Sequence, residues 1–240
     1  NDLPKKNTLV IVKDVAIKLS IKNLLAKEKH KFKKIKLNNF KINFNFKNFK
    51  EYKSIFEEKI TLIPITFTKG QIIFFDEKSY IATISDVNLN LILEKDSKEV
   101  VLKGKFLNDD VYISLNSKKI NNKQSTDIML KMSDLNFLTK ANFYNYEKDK
   151  DAIHGNILIR KDKYRFTGFF GYKDNEITIS KSNLRNIFLD GKLEGKIKFL
   201  PYFNFDLDLS LNSINFTKLY NYFLTLDKKN QKNLFRINEK

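Results

Sequence analysis

Apolar and polar residues alternate along most of this chain, the spacing that puts every second side chain of an extended strand on one face. Val15, Ile17, Leu19 and Ile21 enclose Ala16, Lys18 and Ser20, and Phe40, Ile42, Phe44 and Phe46 enclose Lys41, Asn43 and Asn45. The pattern returns at Val87, Leu89, Leu91 and Leu93, at Val111, Ile113 and Leu115, and at Ile128, Leu130 and Met132. It is longest at Phe203, Phe205, Leu207, Leu209 and Leu211, which alternate with Asn204, Asp206, Asp208 and Ser210. Shorter strands are predicted at 60–67, 71–76, 99–107, 153–160, 164–172, 175–181 and 186–199. Turns such as Thr68-Lys69-Gly70 and Lys173-Asp174-Asn175 are too short for the crossovers that parallel neighbours need. The expected fold is mainly β: an antiparallel meander of roughly a dozen strands with one wet face and a few short flanking helices.

Helical spacing is confined to a few places. Phe49, Tyr52 and Phe56 predict a helix over 48–57, and Leu135, Leu138 and Ala141 another over 134–146. Leu219, Tyr222, Phe223 and Leu226 predict a third over 216–226, with Asn215 as its N-cap. A weaker stretch runs from Asn23 to His30. The run from Leu130 to Phe137 echoes the run from Leu209 to Phe216, each ending in an aliphatic-Asn-Phe step before a predicted helix. The chain therefore reads as a single β-rich segment, 1–240, with a degenerate repeat whose units end near 144 and 224.

Composition narrows the function classes. At 42% hydrophobic and 30% charged, the 240 residues can bury a core. The formal net charge of +17 raises nucleic acid or an anionic surface as a partner. The excess is nearly all lysine, with arginine only at Arg160, Arg165, Arg185 and Arg236, and from Lys33 to Lys41 the lysines alternate with apolar residues. That is the signature of a solvated strand face, since phosphate and base recognition lean on arginine forks. No nucleic acid is expected as a partner. Cysteine is absent, so disulfides, thiolate metal sites and Cys nucleophiles are excluded. No apolar run approaches the roughly 20 residues of a membrane helix. The chain starts at Asn1 without Met and is expected to be cut from a longer protein, with any membrane anchor outside it.

Candidate chemistry is sparse. His30 and His154 are the only histidines, and no triad, phosphate loop or spaced ligand set accompanies them. Asp109-Asp110 and Asp149-Lys150-Asp151 fall where turns are expected, and Asp206 and Asp208 share the outward face of a strand. Gly191 and Gly195 suggest a bend or bulge. The run Arg160 to Phe166 mixes cations and aromatics, as single-strand binders do, and equally forms a hairpin turn. The expectation is a non-enzyme with no catalytic residue, no metal and no cofactor. A basic β-sandwich that binds nucleic acid or an anionic surface is the alternative.

Several segments, in order, resemble the AsmA-like family of bacterial envelope proteins. They are Val12 to Leu25, Phe67 to Asp76 with its G-x-I-x-Φ-x-D step, and Ile84 to Leu91 with I-x-D-V-x-L-x-L. Leu193 to Ile197, Pro201-Tyr202-Phe203 and Ile214 to Leu219 follow, with Asn215 where the family commonly has Asp. The resemblance implies a long sheet curled into an open trough that carries phospholipid between inner and outer membranes. It also implies a periplasmic location and an inner-membrane anchor in the full-length protein. The protein partners are left open.

An acyl chain of ~16 carbons crossing water meets a barrier on the order of 10 kcal/mol, at about 0.8 kcal/mol per methylene. A continuous apolar wall removes most of it. The expected lipid-facing residues are Val15, Ile17, Leu19, Val87, Leu89, Leu91, Leu93, Leu207, Leu209 and Leu211. The same alternation also builds the core of a closed sandwich, and the pattern alone does not choose between the two.

Overall fold

The computed structural model describes residues 9–19, 33–48, 64–146, 148–198 and 203–225. The fold is mainly β, a mostly antiparallel meander, and it divides into two compact units, Asn1–Lys150 and Asp151–Lys240. The first holds β1 (Val10–Lys18), β2 (Lys34–Asn45), β3 (Ile65–Asp76), β4 (Ser79–Leu93), β5 (Ser97–Phe106), β6 (Asp109–Ile120), β7 (Lys123–Met132) and β8 (Phe137–Tyr146). The second holds all but the first two residues of β9 (Asp149–Lys161), then β10 (Tyr164–Lys173), β11 (Glu176–Arg185), β12 (Leu189–Lys198) and β13 (Asn204–Ile214), followed by a helix, α1, over 216–225. Strand order follows chain order in each unit. Among the described residues β1 pairs only with β2 and β13 only with β12, so neither unit closes into a barrel.

Tight turns make the meander. Leu107-Asn108 and Asp174-Asn175 each place two consecutive residues at positive φ, the twist that suits two-residue hairpins. The Arg160–Phe166 stretch is likewise a hairpin, with Lys161 paired to Tyr164.

Three sequence expectations change. β2 and β3 run parallel, not antiparallel. Residues 46–64 separate them in sequence, and a parallel neighbour needs a connection of a dozen or more residues. The stretch 134–146 forms a turn and then β8, not a helix: Phe137, Thr139, Ala141 and Phe143 alternate on one face, and aromatic and β-branched residues suit a pleated surface. Thr68-Lys69-Gly70 is no hairpin turn but lies inside β3. The predicted helix over 48–57 (beyond residue 48), the stretch 23–30, and residues 60–63 of a predicted strand lie outside the described residues.

A crease crosses the first unit. Asn39 in β2, Lys69 in β3 and Asp86 in β4 all have φ between 50° and 57°. Register irregularities accompany it on β3 and β4, at Phe67/Gly70 and Ser85/Asn88. Such bulges switch which alternate residues face inward. In β2 the inward set changes from Ile35 and Leu37 to Phe40, Ile42 and Phe44; in β4 it changes from Ile84 to Val87, Leu89 and Leu91. The Phe40 ring lies over Gly70 where a side chain would otherwise sit, and meets Phe67 edge-on at 5.1 Å.

Candidate apolar binding face

Cross-strand register turns the alternation into continuous rows. In the first unit Val15, Leu37, Phe67, Leu89, Leu102, Ile113, Leu130 and Thr139 stand opposite one another across eight strands. Beside this row run Ile17, Ile35, Ile65, Leu91, Val100, Leu115, Ile128 and Ala141. With strands about 4.8 Å apart, the rows extend for roughly 34 Å. Close backbone approaches among the described strands of this unit are between sheet neighbours, so its core is the side chains of one face packed laterally.

The second unit has its own rows. Ile153, Tyr172, Ile177, Ile197 and Phe205 form one; Ile159, Phe166, Leu184, Gly191 and Leu211 form another. A bulge in β11 turns Ser182 into this face, where its hydroxyl donates to the Leu193 carbonyl and accepts the Leu193 N–H. Gly195 sits at φ 133°, and a Cβ there would collide with the Asp206 carbonyl oxygen. After β13 the Asn215 side chain accepts the Lys218 N–H at 2.9 Å, capping α1 as the sequence predicts. Tyr222 of α1 meets Phe188 at 5.4 Å, and partial burial, with the Tyr222 phenol nearby, holds the Tyr164 phenol above its ordinary value.

The ten expected lipid-facing residues occupy three environments. Val87, Leu89 and Leu91 are buried within the first unit's core, Val87 completely. Leu19, Leu93 and Leu207 are half-buried, with Leu19 just past the end of β1. Val15, Ile17, Leu209 and Leu211 are exposed, Val15 at 58%. The gradient has a simple cause: central strands have neighbours on both sides, whereas β1 and β13 are the first and last strands. Half-buried apolar groups of the middle strands, among them Ile65, Phe74, Ile113 and Leu130, join the same face.

Polar groups bound this face at its two ends. Thr126 and Gln124 both donate to the Ser117 hydroxyl, at 2.9 and 3.1 Å, and Ser117 and Thr126 are buried. At the other end buried Asp109 accepts the backbone N–H groups of Asp134 and Leu135, at 2.9 and 3.2 Å, and so fixes the β7–β8 turn. The sequence reading placed Asp109 in a turn; its span to a turn 25 residues onward has no local signature.

The opposite face is mixed, with Lys, Asn, Asp and Ser interspersed with Ile11, Ile73, Val101, Met129 and Leu138. Two open hollows of about 640 and 570 Å³ flank the crease there, one among Lys13, Asn39, Lys41, Lys69 and Asp86, the other among Asp86, Lys103, Lys105, Asp110 and Lys131. At the edge of the sheet the exposed Lys47 ammonium meets Glu77 at 2.5 Å, which raises the lysine and lowers the carboxyl from their ordinary values. Asp206 and Asp208 are exposed on β13, as a solvated face requires. Among the described residues no three His, Asp or Glu side chains gather as a metal site, and no helix is long and apolar enough to cross a membrane.

No family model matches this chain. No curated protein and no solved structure matches it either. The AsmA-like resemblance therefore rests on the segments quoted above.

Proposed function

We propose that this chain is a non-enzymatic lipid-handling segment of a bacterial envelope protein, which lets phospholipid acyl chains move along an apolar β face between inner and outer membranes. One observation carries the reading: adjacent cross-strand rows of aliphatic and phenyl groups, one from Ile17 to Ala141 over eight strands and one from Val15 to Leu130 over seven, lie on a sheet that does not close. An acyl tail against such a row keeps its methylenes out of water at every step, so no single position is a deep trap and none a high barrier. Hydrocarbon needs no directional partner, which is why rows of Leu, Ile, Val and Phe suffice and the polar groups lie at the ends.

The surface offered to a tail is made of the half-buried side chains and the exposed residues of β1, because Val87, Leu89 and Leu91 are occupied with their neighbours. The AsmA-like resemblance supplies the periplasmic location, the phospholipid cargo and the anchor outside this segment. Solvent extraction of the chain purified from a bacterial envelope, followed by mass spectrometry, tests the proposal. Co-purifying phospholipid near stoichiometric amounts is expected, and lipid-free protein from a lipid-rich preparation would count against it.

A further inference from the structure

Helix α1 carries more apolar surface than its own unit covers. At 100° per residue, Phe216, Tyr220, Phe223 and Leu224 fall within one arc of about 100°. Leu219 and Tyr222 lie beside that arc and are half-buried, Tyr222 against Phe188. Thr217, Lys218, Asn221 and Thr225 make up the rest of the helix surface. The outer stripe is open: Phe216 is 70% exposed, Tyr220 64% and Phe223 59%. Four large apolar groups on one exposed helix face are well beyond the scattered single residues of an ordinary surface.

We infer that this stripe docks α1 on the surface of an anionic phospholipid bilayer. The occupant follows from chemistry on both sides of the contact. Phenyl rings with one phenol tip suit the boundary between headgroups and acyl chains, where an apolar body meets hydrocarbon and a hydroxyl meets water. Lys218 lies on the polar side of the helix, away from the stripe, where a cation of an interfacial helix stays in water, and the whole chain carries +17, which complements an anionic surface and repels a basic partner. The choice of a membrane rests on the lipid-handling reading, and docking would bring the second unit to the source or the destination of its cargo.

The chain has no tryptophan, so a single introduced indole reports alone. Phe223→Trp is titrated with vesicles of phosphatidylglycerol and phosphatidylcholine, with Tyr112→Trp on the mixed face of the first unit as the comparison. Docking is expected to shift the emission of the first variant to the blue and to let brominated phospholipid quench it, with neither effect at 112. Phe216→Ser combined with Tyr220→Ser keeps every charge and is expected to weaken vesicle partitioning on the order of tenfold or more. Part of the parent's binding should also survive about 0.5 M salt, where lysine attraction is screened. Three results would overturn the inference: emission already blue in buffer and unmoved by vesicles, equal quenching at 223 and 112, or a double-serine variant that partitions like its parent. Lipid extracted from the double-serine variant separates the two proposals. Cargo retained while docking fails sinks only the helix; docking intact with no cargo in either protein sinks only the conduction reading.

Discussion

At the scale of single residues, four positions have consequences that differ in kind. Val87 is fully buried among the core side chains, so Val87→Ala removes methyl groups and leaves a void, at about 1.5–3 kcal/mol of unfolding free energy in urea titration. Val15 has the same side chain in an exposed place, and Val15→Ala should change stability by less than about 0.5 kcal/mol. An equal loss at both positions would contradict the burial gradient. Gly195→Ala meets both a positive φ and the Asp206 carbonyl oxygen, and is expected to cost more than about 2 kcal/mol. Removing the cap with Asn215→Ala should cost about 1 kcal/mol, read as partial loss of helical ellipticity from α1.

At the scale of elements, the crease is the feature that decides which side chains face inward. Asn39, Lys69 and Asp86 hold a left-handed backbone, where a Cβ is unfavourable. Lys69→Gly relieves that strain and should raise stability by about 0.5–1 kcal/mol, after the entropic cost of glycine is subtracted; a clear loss in a melting experiment would mean that the bulge is not held as described. The same crease explains what could and could not be read from the chain. Strands with unbroken alternation, such as Val111 to Leu115 and Phe205 to Leu211, are legible because a pleated strand admits only one pattern. The apolar step from Leu37 to Phe40 shifts the alternation by one, a visible trace of the left-handed Asn39 between them, yet Thr68-Lys69-Gly70 reads as a turn because glycine and positive φ serve both structures. The parallel β2–β3 pair has no local signature at all, since the alternation within a strand is the same whichever way its neighbour runs. The 134–146 stretch misleads because Leu135, Leu138 and Ala141 fit a helical stripe while Phe137, Ala141 and Phe143 fit a strand, and pairing with β7 decides between them.

At the scale of the whole molecule, the claim is that apolar rows on an unclosed sheet serve hydrocarbon as well as folding. The candidate face was legible as a set of alternating strands, whereas the division of its members into buried, half-buried and exposed depends on strand order, which only the fold supplies. Placing a charge in the middle of a row tests the claim through lipid: Ile113→Lys should lower co-purified phospholipid several-fold, while Tyr112→Lys, one residue away on the other face, should leave it unchanged. The most direct measurement is photo-crosslinking at neighbouring positions of opposite facing. A benzophenone amino acid placed at Ile113 and Leu130 should form phospholipid adducts in the native envelope, and the same group at Tyr112 and Lys131 should form few or none. Adducts of equal yield on both faces, or none at Ile113 and Leu130, would contradict the account.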